Sequence, residues 1–186
     1  MRTLYFRGEN GSGMEAELER QFLTHSVKKL EQYTERIETC LGMLTEEQVW
    51  ARGGGNENAA GNLVLHLCGN VRQWIVSGVG GQPDIRRREF EFSTLGGVPV
   101  AELLAGLRET VGEATAVIGG VGRERLGERL TIQNYDVSVF EAIYHVVEHF
   151  AMHTGQILFV AKMLTGADLG FYAHLRTDAA HGQKTP

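Results

Sequence analysis

The sequence predicts an all-α protein, an up-and-down four-helix bundle with one short extra helix and one long connecting loop. Three observations predict it. Apolar residues recur at helical spacing over four long segments. Ser/Thr-x-x-Glu/Gln capping boxes open helices at Thr45 and Ser138. No run of alternating segments is long enough to build a sheet.

The elements follow in order. Residues 1–13, "MRTLYFRGENGSG", end Gly-rich and polar and are expected to form a disordered extension outside the fold. The bundle is expected over 14–170 and a C-terminal tail over 171–186. From Glu15 to Leu44, residues including Leu18, Phe22, Val27, Leu30, Tyr33, Ile37 and Leu41 repeat at helical spacing, with no Gly or Pro before Gly42. Thr45 and Gln48 cap a short second helix, which "RGGGNEN" ends. A third helix runs from Asn58 to Ser77, with Leu63, Leu67, Val71 and Trp74 on one face and His66 beside them. The Gly and Pro content of Gly78–Val98 predicts a connection without a helix. Pro99 suits the first position of a fourth helix, "VAELLAGLRETVGEATAVI". "ERLTIQNYDVS" alternates briefly and reads as a short extended segment. Ser138 and Glu141 then cap the last helix, Val139–Leu164, which Gly166 ends.

Composition excludes several classes. At 186 residues the chain is long enough for one domain with a real core. The formal charge is 18 − 23 = −5, which argues against a nucleic-acid partner held through phosphates. No apolar run approaches the roughly 20 residues that span a bilayer, and the first residues lack a signal-peptide core. A cytoplasmic protein with neither membrane nor nucleic-acid partner is therefore expected. Arg86–Arg88 read as a solvated loop, with anion binding as the alternative. Cys40 and Cys68 form no CxxC, so a thiolate zinc knuckle is excluded, and both read as small buried residues on helices.

The chemistry concentrates in "YHVVEHFAMHTGQI", which holds His145, His149 and His153 at a spacing of four. Residues four apart on a helix lie roughly 5–6 Å apart at Cβ, so His149 with His153, or His145 with His149, can grip one ion. A step of eight spans about 12 Å, too far for all three. A third ligand then comes from another helix, and His66 is the candidate, since an unpaired imidazole on an apolar face is costly. Three neutral imidazoles suit Zn(II), Ni(II), Co(II) or Fe(II), zinc or nickel first, and leave positions open in catalytic style. A bare HxxxH also arises by chance on surface helices. Phe150 follows His149, so this is not an HExxH zincin, and Glu148 reads as a solvated charge. Phe140, Tyr144, Phe150 and Phe159 read as core. His25, His174 and His181 read as surface residues. No GxSxG elbow or phosphate-cradling loop is present.

"NLVLHLCGNVRQW" and "HVVEHFAMHTGQI", in this order on two long helices, resemble the DinB-like (DinB/YfiT) superfamily of metal-binding four-helix bundles. The resemblance runs from about Met14 to Leu169 and is carried by H-L-x-x-N-x-x-x-W at His66–Trp74 and H-x-x-x-H-x-G-Q at His149–Gln156. It implies His66, His149 and His153 as the metal triad and sets His145 aside. The small Gly155 is expected to let a neighbouring helix pack closely.

The resemblance further implies a metal-dependent thiol S-transferase or thiol-assisted isomerase, in detoxification or stress response. The metal would activate a small-molecule thiol for attack on an electrophilic substrate. It also implies a homodimer. The alternative is a non-catalytic metal- or ligand-binding stress or sensor dimer, whose metal shell a fourth protein ligand would close.

Overall fold

The computed structural model describes residues 9–175, with side chains from Gly13 onward. Its helices are α1 Glu9–Leu41, α2 Glu46–Val49, α3 Ala60–Val71, α4 Arg88–Ser93, α5 Val100–Gly119 and α6 Val139–Thr165. A hairpin of β1, Arg129–Ile132, and β2, Tyr135–Ser138, precedes α6. The four long helices form the bundle: α1 packs on α5 and α6, and α3 packs on the same two. The core fills from all four, with Leu30 and Ile37 of α1, Leu67 of α3, Leu107 and Ile118 of α5, and Ile143, Phe150 and Ile157 of α6 fully buried. Among the described residues no helix is long and apolar enough to cross a membrane.

Several boundaries correct the sequence expectation. Residues 9–13 are helical, so α1 begins inside the expected extension. Extending an existing helix costs far less than nucleating one, which lets α1 absorb Gly11 and Gly13. Residues 1–8 and 176–186, including His181, lie outside the described residues. α1 stops at Leu41, where Gly42 begins a turn that buries Leu44. Pro99 caps α5 from just outside the helix.

The loop expected from Gly78 to Val98 contains the six-residue α4. Its Gly and Pro residues cluster at 78–83 and 96–97, leaving the sequence between free to turn. The buried Asn62 carboxamide donates to Glu91 O at 2.9 Å and Thr94 O at 2.8 Å, fastening α4 onto α3.

Both capping boxes form. Gln48 N donates to Thr45 Oγ1, and Thr45 N donates to Gln48 Oε1. Glu141 N donates to Ser138 Oγ, and Ser138 N donates to the Glu141 carboxylate. Ser138 thus ends β2 and starts α6 at once. The hairpin turns on Gln133 and Asn134, with φ of 51° and 66°, the left-handed pair of a tight hairpin turn. Gly166 closes α6 at φ 67°.

Beyond Val71, α3 continues as a π-helical segment over Arg72–Val79. Such wide turns are rare and occur often at functional sites. This one carries Trp74 and Gln73. Of the four aromatics expected in the core, only Phe150 is there. Phe140, Tyr144 and Phe159 are 44%, 57% and 65% exposed. α6 is apolar nearly all round, so its periodicity does not single out one buried face.

Candidate metal centre

α3 and α6 bring His66, His149 and His153 together. His149 Nε2 lies 3.1 Å from His66 Nε2 and 3.1 Å from His153 Nε2, and all three ligand atoms lie within 4.8 Å of one another. Zinc–imidazole bonds of 2.0–2.1 Å in a tetrahedron put ligand nitrogens about 3.3 Å apart. The observed spacing is that of neighbouring ligands around one small ion.

The far ring nitrogens decide the protonation of the near ones. His66 Nδ1–H donates to Glu91 Oε2 at 2.9 Å, and His153 Nδ1–H donates to Gln156 Oε1 at 2.6 Å. Both Nε2 atoms therefore carry bare lone pairs toward His149 Nε2. A proton on His149 Nε2 satisfies one of them and leaves the other facing it without a donor. A cation at the centre satisfies all three, so the donor set fits a divalent metal.

Burial holds these rings neutral. It pushes the His149 pKa down to about 3, with the neighbouring His153 and His66 adding to the effect. Burial also lowers His153, against the hydrogen bond to Gln156.

Behind His66 lies a buried ion pair that the sequence reading missed. Arg86 Nε donates to Glu91 Oε1 at 2.7 Å and Arg86 Nη2 to Glu91 Oε2 at 2.8 Å, with both side chains at most 5% exposed. Arg86 is thus no solvated loop residue. Its third nitrogen donates to Gln73 Oε1 at 2.9 Å. Burial pushes the Glu91 carboxyl upward, but the hydrogen bonds from Arg86 and His66 outweigh it and hold it below the usual carboxylate range. A Cβ on Gly69 would strike the Glu91 carboxylate, so the glycine makes room for it. Twenty-five residues separate Glu91 from His66, and no local motif marks the pair. Gln156 is detectable as the i+3 neighbour of His153.

His145 stays outside the triad, its ring 4.1 Å from Trp74 and 5.5 Å from the His149 ring. Burial lowers its pKa against the nearby Glu148, which is exposed as expected. His25 and His174 are also exposed. Cys40 is buried and Cys68 half-buried; burial pushes their thiols up to about 11 and about 12, so neither is a ready nucleophile. Gly155 does not serve close helix packing: a Cβ there would meet nothing within 4 Å. It lies on an exposed groove with Met152 and Phe159.

Fold and site together define a helical bundle with a three-histidine cluster between two antiparallel helices. The chain belongs to the family described as protein of unknown function (DUF1572), which matches residues 17–174. No curated protein matches it. Among solved structures it is similar to the conserved protein of locus from Enterococcus faecalis. The two share 14% identity at a TM-score of 0.68, covering 77% of this chain and 97% of that one. That likeness shows a shared fold.

Proposed function

We propose that the chain is a DinB-like, divalent-metal-dependent enzyme of the thiol S-transferase type. The observation that carries the metal half of this reading is the convergence of three Nε2 atoms, two of them with lone pairs set by Glu91 and Gln156. Among the described residues no fourth His, Cys, Asp or Glu joins the cluster. An open side favours catalysis over a closed sensor site. The resemblance of the two histidine motifs supplies the thiol half. A divalent ion held here, zinc or nickel first, lowers the pKa of a thiol and makes it nucleophilic at neutral pH. The chain's own residues hold the imidazoles neutral, orient them and exclude water from behind His66. With such an ion bound, the thiol would lose its proton to solvent, and its sulfur would bond to the electrophilic atom as the leaving group departs with the electron pair of the broken bond.

Elemental analysis tests this first, on the wild type and on His149→Ala with His153→Ala. About one divalent ion per chain, lost in the double variant, is expected. Thiol-dependent turnover lost in a folded His149→Ala variant supports the enzyme; unchanged turnover sinks it.

We also propose a homodimer. Met152, Phe159 and Met163 form an exposed apolar strip at 55%, 65% and 70% exposure along α6. Covering such a strip favours association.

A further inference from the structure

Beside the histidine cluster, the same two helices, with Arg88 and the hairpin residues Gln133, Tyr135 and Val137, line a cleft of about 510 Å³. Two antiparallel ladders build it. His66, Asn70 and Trp74 step along α3 and its π-helical continuation, while His149 and His145 step back along α6. The rings pair at both ends, His66 with His149 at 4.9 Å and Trp74 with His145 at 4.1 Å. Along α6 the two ends of the cleft are one four-residue step apart, about 6 Å, with the His149 and His145 rings 5.5 Å from each other.

Its walls hold polar atoms without partners. Asn70 and Trp74 are each 4% exposed, and neither Asn70 Oδ1 nor Trp74 Nε1 has a hydrogen-bond partner. His149 Nδ1 in the same wall has none either. Buried polar groups are nearly always paired, so an acceptor and a donor left unpaired in one cleft, Asn70 Oδ1 and Trp74 Nε1–H, mark the place of a ligand. Arg88 also lines the cleft. It is exposed and stacks over the Phe92 ring at 5.2 Å, with no carboxylate partner among the described residues.

We propose that this cleft binds a small molecule carrying a secondary amide and a carboxylate. The amide N–H donates to Asn70 Oδ1, the amide oxygen accepts from Trp74 Nε1–H, and the carboxylate pairs with Arg88. A secondary amide offers one N–H and one C=O, the complements of one acceptor and one donor, and guanidinium favours carboxylate geometrically. The unpaired atoms are closed to solvent as the chain stands. Tyr135, 62% exposed and 6.4 Å from the Trp74 ring, is the side chain that yields to admit the ligand. This assignment rests on the metal reading only for the direction in which the ligand's reactive end points.

N-acetylglycine carries both recognised groups and no thiol; N-acetyl-L-cysteine adds the thiol. The chain has two tryptophans, so Trp50→Phe leaves Trp74 as the sole indole reporter. Titrating N-acetylglycine into chelator-treated Trp50→Phe protein is expected to change Trp74 fluorescence saturably. Arg88→Gln and Asn70→Ala, each shown folded by circular dichroism, are expected to weaken binding about tenfold. Calorimetry on the unaltered chain gives the same reading should Trp50→Phe fail to fold. No saturable binding by either method, or equal binding in Arg88→Gln and Asn70→Ala, overturns the proposal. The metal–thiol reading is scored separately, on metal-loaded protein. N-acetyl-L-cysteine binding no tighter than N-acetylglycine there overturns that reading alone, while metal-dependent tightening supports both.

Discussion

The residue that most changes the view of this site is Glu91. It fixes the tautomer of His66 by accepting its Nδ1–H, and it neutralises the buried Arg86. Carboxylates behind a metal-binding imidazole raise its basicity and hold its orientation. Glu91→Gln is therefore expected to lower zinc affinity about 10- to 100-fold, measured by competition with a chromophoric chelator. Acid is expected to destabilise the metal-free chain. His149 titrates at about 3 when folded against an ordinary 6.5, so the unfolded chain takes up the proton first and stability falls as pH drops from 6.5 toward 3. Glu91 acts in the same direction: its folded pKa is lowered, so its contribution is present above the ordinary carboxylate value and lost below it. Thermal melts of chelator-treated protein over this range check the sign, and His149→Phe is expected to flatten the slope.

At the scale of elements, the close fit of α4 against α3 carries the site. Gly69 sits mid-helix, where alanine would ordinarily stabilise by roughly 1 kcal/mol. A Cβ here displaces Glu91, so Gly69→Ala is expected to lower both stability and zinc affinity. A rise in melting temperature with affinity intact would show that α4 has slack. The joint between hairpin and α6 rests on the Ser138–Glu141 box, and Ser138→Ala is expected to cost about 1 kcal/mol in denaturant unfolding. Both boxes were legible in the sequence because capping is local chemistry, read within four residues. α4 was not, because Asn62, 29 residues from Glu91, holds it through backbone carbonyls.

For the whole molecule, the bundle stands on side chains such as Phe150, fully buried between α6 and its neighbours. Phe150→Ala is expected to cost about 3–5 kcal/mol of unfolding free energy. If the α6 strip is an interface, Phe159→Glu is expected to shift the chain to monomer in light scattering with its fold unchanged. The sequence by itself determined the four long helices, the two caps and the i,i+4 pair of His149 and His153, since each depends on short-range periodicity along one helix. The tertiary structure alone decided which residues stand behind and beside those histidines. Arg86 and Glu91 reach His66 through the fold of a loop, and Trp74 meets His145, with Asn70 and His149 in the same cleft, because α3 and α6 run antiparallel. Such contacts join residues far apart in the chain, and only the packing of the helices sets their distances.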